Sequence, residues 1–422
     1  LSSVRSSVDA CLEKIDRYDA ALRAWVIVDR EEARRTADSL DAGAGGGRTR
    51  GPLHGIVVAL KDIFDAAGMA TTSGAPSFAH RKPHRDAPVV AALRTAGAVI
   101  LGKTVTTEFA FADPSVTRNP WNLAHTPGGS SSGSAAAVAA GMARVALGSQ
   151  TIGSTIRPAA YCGIVGFKGT YGRISTEGVT PLSWSLDHVG IFARSVDDAA
   201  RVFSVLAGAQ MAASAAPSVG PTHPPRLAVP RAWVEAVASL EIRGHLDESM
   251  ALLRRAGATV EDVALPPSAG RIEADGRLVL RVEAAAYHSR WFSEHAAEYG
   301  PRIRELIESG LPVAATEYIR AHEARYQFRR DMAAIFDRYD ALLLPSAPTP
   351  APPLSENTTG DPVFCAPWSF AGVPAIALPS GLTPGGLPLS VQLVAPVAAD
   401  ARLLEIAGWC ETRLGFAAAP PP

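Results

Sequence analysis

The chain has 422 residues, 47% of them hydrophobic, enough to bury a large core in one large domain or in two to three ordinary ones. Its 40 basic and 41 acidic residues leave a formal net charge of -1. Such a balance offers no long-range field to draw in nucleic acid or an anionic bilayer, and it points to a small, roughly neutral substrate.

In chain order, Val4, Val8, Cys11, Leu12 and Ile15 recur at helical spacing over 4–18, and Asp29 stands where it would cap a helix over 30–40. Residues 41–50, with Gly43, Gly45, Gly46 and Gly47, read as a flexible surface loop. A buried strand over 56–60 delivers Lys61 at its end, followed by a helix over 86–95 and a strand over 98–101. The alanine-rich run 134–142 predicts a helix whose N-terminus faces a serine-rich loop, and 144–147 a short strand leading into a second such loop. Residues 207–225, rich in Ala, Ser and Pro, predict an exposed connection, because strands over 226–229 and 259–263 flank a helix over 246–256. Residues 281–336 are helical in pattern and predict a cover over a pocket. Strand-like runs over 340–345, 374–379 and 389–394 precede Pro420, Pro421 and Pro422, which predict disorder. Strands alternating with helices predict an α/β fold.

Cys11, Cys162, Cys365 and Cys410 lie far apart, with no CxxC pair and no histidine cluster at zinc spacing. They predict buried thiols in a reducing, cytoplasmic setting and no structural metal. No apolar run approaches the ~20 residues needed to span a bilayer. The chain opens at Leu1, and the sequence leaves open whether a leader precedes it.

Two loops carry the strongest chemical signal. Pro127-Gly128-Gly129-Ser130-Ser131-Ser132-Gly133-Ser134 stands upstream of Gly148-Ser149-Gln150-Thr151-Ile152-Gly153-Ser154-Thr155-Ile156-Arg157-Pro158. Glycines mixed with small hydroxyl residues let a backbone turn tightly enough to aim several N–H groups at one point, as an oxyanion requires. With Lys61 closing Val57-Val58-Ala59-Leu60, the loops suggest a serine hydrolase whose base is not histidine. The scattered His54, His125, His188 and His288 read as satisfied core or surface residues. The run from Gly128 lacks the Gly-Lys-Ser ending of a phosphate loop.

These pieces, with Asn119-Pro120-Trp121-Asn122, Ser185-Leu186-Asp187-His188-Val189-Gly190 and Gly386-Leu387-Pro388-Leu389-Ser390-Val391-Gln392, resemble the amidase signature family. The likeness is strong over 51–200 and weaker over 339–405. Within the family the Ser-Xaa-Xaa-Arg-Pro loop is similar to that of malonamidase-type members. The resemblance implies one α/β/α domain over 1–422, a mixed, twisted central sheet surrounded by helices, and no metal or organic cofactor. It makes Lys61 the base, Ser130 a bridging serine on a cis peptide and Ser154 the nucleophile. Ser130 and Ser154 stand 24 positions apart, as the family's bridge and nucleophile do.

The resemblance further implies that the backbone N–H groups of Thr151, Ile152, Gly153 and Ser154 hold the oxyanion. Gly128, Gly129, Ser131 and Asp187 are implied as supports. Ile152 replaces a common glycine, so either φ stays negative there or the hole shifts, and its side chain is expected to narrow the acyl pocket. Arg157 is read either as a fork on a substrate carboxylate or as a structural arginine paired with an acid such as Asp187. The implied activity is hydrolysis of a small carboxylic amide. Carbamate or anilide hydrolysis, the catalytic component of a tRNA-dependent amidotransferase with partner proteins, and a non-catalytic scaffold stand as alternatives. Gln150, where the amidotransferase pattern has Asp, speaks against the second alternative. Many relatives are homodimers through N-terminal helices, and 4–18 fits that role or core packing equally.

Overall fold

The computed structural model describes residues 3–44, 51–75, 78, 80–208 and 223–421. Most of the connection expected over 207–225 and most of the loop expected over 41–50 lie outside the described residues, as does Pro422. The strands are β1 (Trp25–Val28), β2 (Val57–Lys61), β3 (Val99–Thr104), β4 (Val145–Gln150), β5 (Val165–Lys168) and β6 (His188–Ala193). They continue as β7 (Arg226–Val229), β8 (Thr259–Asp262), β9 (Ala341–Pro345), β10 (Ala375–Leu382) and β11 (Pro388–Val394). All join one sheet in the order β1-β3-β2-β4-β6-β5-β10-β11-β9-β7-β8. Parallel pairing of β2 with β3 and β4, and of β7 with β8 and β9, is combined with antiparallel pairing elsewhere, so the sheet is mixed.

Helices cover the sheet: α1 (Val4–Leu22), α2 (Arg30–Ala44), α3 (Pro88–Thr95), α4 (Ser132–Ala139), α5 (Ile156–Cys162), α6 (Val196–Leu206) and α7 (Arg231–Val237). Then come α8 (Leu240–Arg255), α9 (Ala269–His295), α10 (Pro301–Gly310), α11 (Ala315–Asp331), α12 (Ala333–Phe336), α13 (Ala366–Ala371) and α14 (Asp400–Leu414). β2, β3, β4 and β6 are buried at every position. This is why they lack the polar–apolar alternation of a half-exposed strand, even where Lys61, Lys103, Ser149 and Gln150 fall at their ends.

Two expectations change. Residues 41–44 are the last turn of α2 rather than loop, because Asp41 accepts the Val4 and Arg5 N–H groups at 2.8 and 2.9 Å and so ties that turn to the start of α1. The α1 stripe packs inward: Val4, Val8, Leu12 and Ile15 join Ala33, Ala37, Val57 and Leu101 in a second core cluster, which leaves those residues unavailable to a partner helix. No described helix is long and apolar enough to cross a membrane, and all four cysteines are free.

Sheet register then sets the site. β2 and β4 run parallel with Leu60 opposite Leu147, so Lys61 and Ser149, one residue beyond its level, emerge at the same end of the sheet. Gln150 pairs with His188 on β6 at that same end.

Candidate active site

Lys61 is fully buried, and its Nζ lies 2.7 Å from Ser130 Oγ and 2.8 Å from Ser149 Oγ. Burial lowers its pKa to about 7, against an opposing pull from the charge of Asp187. Two other buried lysines show what sets this one apart: Lys103 sits 2.8 Å from Asp62 in an ion pair and Lys168, also drawn down to about 7, donates to the Gly169 and Val373 carbonyls, whereas the Lys61 amine meets serine hydroxyls and no carboxylate among the described residues. Asp62, the neighbour of Lys61 in sequence, therefore serves Lys103, with Thr72 as a further donor.

The Gly129–Ser130 peptide is cis. Gly128 has φ +85°, and a Cβ there would lie 2.9 Å from Pro158 Cα. Ser131 Oγ donates to the Ser149 carbonyl and accepts the Ser149 N–H, each at 3.3 Å, which fixes the second hydroxyl on Lys61. Sequence reading passed over Ser149. Nothing local marks it, since its contact with Lys61 depends on β2 and β4 being neighbours in the sheet.

Ser154 follows β4 in a tight loop and is 8% exposed. Among the described residues its hydroxyl has no hydrogen-bond partner, so the structure joins Lys61 to Ser130 but not Ser130 to Ser154. Nor does any protein acceptor take the backbone N–H groups of Ile152, Gly153 and Ser154 among those residues. Ile152 lies outside the positive-φ set, so the loop keeps its backbone out of the left-handed region there. Its half-buried side chain packs on the main core. Gly153 is the tight position instead, since a Cβ would meet Pro362 Cβ at 2.9 Å.

Asp187 accepts from Thr151 Oγ1 at 2.5 Å and from the Leu182 and Ser183 N–H groups at 2.9 and 3.0 Å. Burial raises its carboxyl to about 6 even so. Arg157 does not pair with it. Arg157 Nη2 donates to the Gly129 carbonyl at 2.8 Å and to Thr359 Oγ1 at 3.1 Å, lacing the Ser154 loop to the Ser130 loop. Among the described residues its Nε has no partner, and burial pulls the guanidinium pKa down.

A cavity of about 230 Å³ adjoins Ser149 and Thr151, walled by Ile63, Val179, Leu182 and Trp184 and edged by Glu177 and Asp187. A larger one of about 560 Å³ lies at the far end of β4, beside Arg144 and the C-terminal segment, away from this chemistry. The helices of 281–336 are tied through Glu283 of α9 to the loop over 182–187 that borders the near cavity. Its carboxylate accepts from Ser183 Oγ at 2.6 Å, the Ser185 N–H at 3.0 Å and Tyr318 OH of α11 at 2.7 Å. Burial acts to raise the Glu283 carboxyl, but donation from His322, Ser183, Ser185 and Tyr318 outweighs it and brings it down to about 2.

The sequence profile of the family described as Amidase matches residues 6–404. The A component of the glutamyl-tRNA(Gln) amidotransferase of Anaeromyxobacter dehalogenans is 36% identical, over 98% of this chain and 94% of its own. A solved structure described as an amidase superposes with TM-score 0.89 at 33% identity, covering 98% of this chain and 97% of that one. The native peptide amidase of Stenotrophomonas maltophilia superposes with TM-score 0.85 at 31% identity, covering 100% of this chain and 95% of its own. Matched along nearly its whole length, through the strands that carry Lys61 and Ser149 and the loops that carry Ser130 and Ser154, this chain belongs to the amidase family of amide-cleaving hydrolases.

Proposed function

We propose that the chain cleaves a small carboxylic amide through an acyl-enzyme on Ser154, activated by Ser130 and Lys61. The observation that carries this reading is the Lys61 amine, buried, drawn down to about 7 and bound only to serine hydroxyls. A neutral amine has the lone pair that an ammonium lacks, so Lys61 takes the Ser130 proton while Ser130 takes that of Ser154. Ser154 Oγ attacks the amide carbonyl, and the unoccupied N–H groups of Ile152, Gly153 and Ser154 receive the oxyanion, with Thr151 beside them. The proton returns through Ser130 to the departing nitrogen, the C–N bond breaks, and ammonia or an amine leaves. Water, deprotonated through the same relay, attacks the acyl carbonyl and releases the acid and free Ser154. Backbone oxyanion donors of this kind are worth about 3–4 kcal/mol each.

Two features bear on the substrate. The acid-free Arg157 supports a substrate carboxylate, whereas the near cavity, with apolar walls and acidic edges, supports an uncharged alkyl or aryl group of the anilide or carbamate kind. Turnover of malonamate beside an anilide separates them. A second reading concerns setting rather than chemistry: the relatives named as components of glutamyl-tRNA(Gln) amidotransferases favour a chain working with partner proteins over a stand-alone amidase. Glutamine hydrolysis that appears only with copurifying partners and ATP supports that setting, and unaided hydrolysis by the purified chain opposes it. For the shared chemistry, a fluorophosphonate probe is expected to label Ser154, and Ser154→Ala to abolish amide cleavage. Undiminished cleavage by that variant overturns the proposal.

A further inference from the structure

Gln150 ends β4, four residues before Ser154, and its side chain is fully buried. Its Oε1 accepts the Thr155 and Ile156 N–H groups at 2.8 and 2.9 Å, at the start of α5. Two backbone donors can be met only by the amide oxygen, so the amide nitrogen must face the other way. There Nε2 donates to Ser369 Oγ of α13 at 2.9 Å. With one lone pair of Ser369 Oγ engaged, its own O–H is turned to the Ile152 carbonyl at 2.6 Å, with the Cys365 carbonyl as a longer acceptor at 3.2 Å.

From these contacts we infer that Gln150 and Ser369 act as one positioning unit that holds the 151–154 loop from both ends. Gln150 fixes the residues just after Ser154. Ser369, polarised by Gln150, fixes the carbonyl of Ile152, whose peptide plane carries the Gly153 N–H. The three N–H groups left without protein acceptors keep their aim because neighbouring groups of the same loop are tied to a strand and to a helix. Neither residue touches the reacting atoms, so both are positioning residues. The donor half of the amide matters as much as the acceptor half. A carboxylate at 150 would still receive Thr155 and Ile156 but would attract the Ser369 proton to itself and release Ile152.

The inference rests on the Ser154 reading above, and the experiment keeps the two apart. Labelling of Ser154 by a fluorophosphonate and kcat and KM for an arylamide are measured for the parent, Gln150→Glu, Ser369→Ala and the double variant. Gln150→Glu keeps the acceptor at the start of α5, and Ser369→Ala removes only an oxygen, so both leave the surrounding elements in place. Each single variant is expected to lower kcat and the labelling rate by about 10- to 100-fold, with KM moving less than about twofold. The double variant is expected to match the worse single variant within about threefold, because both break one linkage. The ratio of Gln150→Glu to parent labelling is expected to rise as pH falls, since a protonated glutamate regains a donor for Ser369. Unchanged labelling in Ser369→Ala, or losses that multiply in the double variant, overturns the inference. A parent chain that is not labelled at Ser154 overturns the reading beneath it instead.

Discussion

Ser149 Oγ stands 2.8 Å from Lys61 Nζ, so the buried amine is held by two hydroxyls and not by that of Ser130 alone. Removing that hydroxyl leaves a buried amine with one acceptor fewer, a loss felt most by the charged form. Ser149→Ala is therefore expected to lower kcat by roughly 10-fold and to move the acid limb of the pH–rate profile to lower pH. Steady-state rates between pH 5 and 9 check it, and an acid limb that stays in place counts against a Ser149–Lys61 contact in the working enzyme.

Lys61, the proposed base, bears on both activity and stability. With the Lys61 pKa drawn down to about 7, activity is expected to rise through pH 7 as the amine loses its proton. For stability the sign runs the other way from an ion pair. The folded pKa lies below the unfolded one, so the cost of burying the amine is absent above about pH 10.4, grows as pH falls and is complete below about 7. Lys61→Met is expected to lose activity by at least about 1,000-fold while gaining on the order of 2–4 kcal/mol of stability at neutral pH. Denaturant melts at pH 7 and pH 10 test this: the gain must shrink at the higher pH.

Glu283 links α9 and α11 to the loop over 182–187. Its carboxyl, brought down to about 2 in the fold, contributes stability that is full above the ordinary glutamate range near 4.5 and is lost as pH falls toward 2. Glu283→Gln replaces charge-assisted hydrogen bonds by neutral ones at a buried position and is expected to cost about 1.5–3 kcal/mol at pH 7. Thermal melts should show the gap between parent and variant closing on acidification.

Trp184 is 48% exposed and lines the cavity beside Thr151. Trp184→Ala is expected to reduce kcat/KM on an anilide at least about 10-fold more than on acetamide, the usual scale for an apolar contact in a pocket. Equal losses on both substrates would show that the cavity does not receive the substituent.

What the sequence discloses follows from where each signal is local. Lys61, Ser130 and Ser154 stand in contiguous motifs, and the strand over 57–61 is legible because the four residues before Lys61 are apolar. The sheet order is not legible, because strands buried on both faces read alike whether parallel or antiparallel, and β5 and β6 are short runs beside richer motifs. Ser149 needs the β2–β4 register before it can be assigned to Lys61. The Asp62–Lys103 pair and Glu283 depend on partners far away in the chain, and each alone looks like an ordinary charged residue.

The parallel alignment of β2 with β4 has one more consequence. Because the amine and its flanking hydroxyl are mounted on adjacent rungs of one sheet, their meeting is insulated from the surrounding loops and helices, where new specificities can arise by insertion or exchange. The same mounting is brittle against a frame slip: deleting a single residue between Val57 and Leu60 would swing the amine to the opposite side of the sheet.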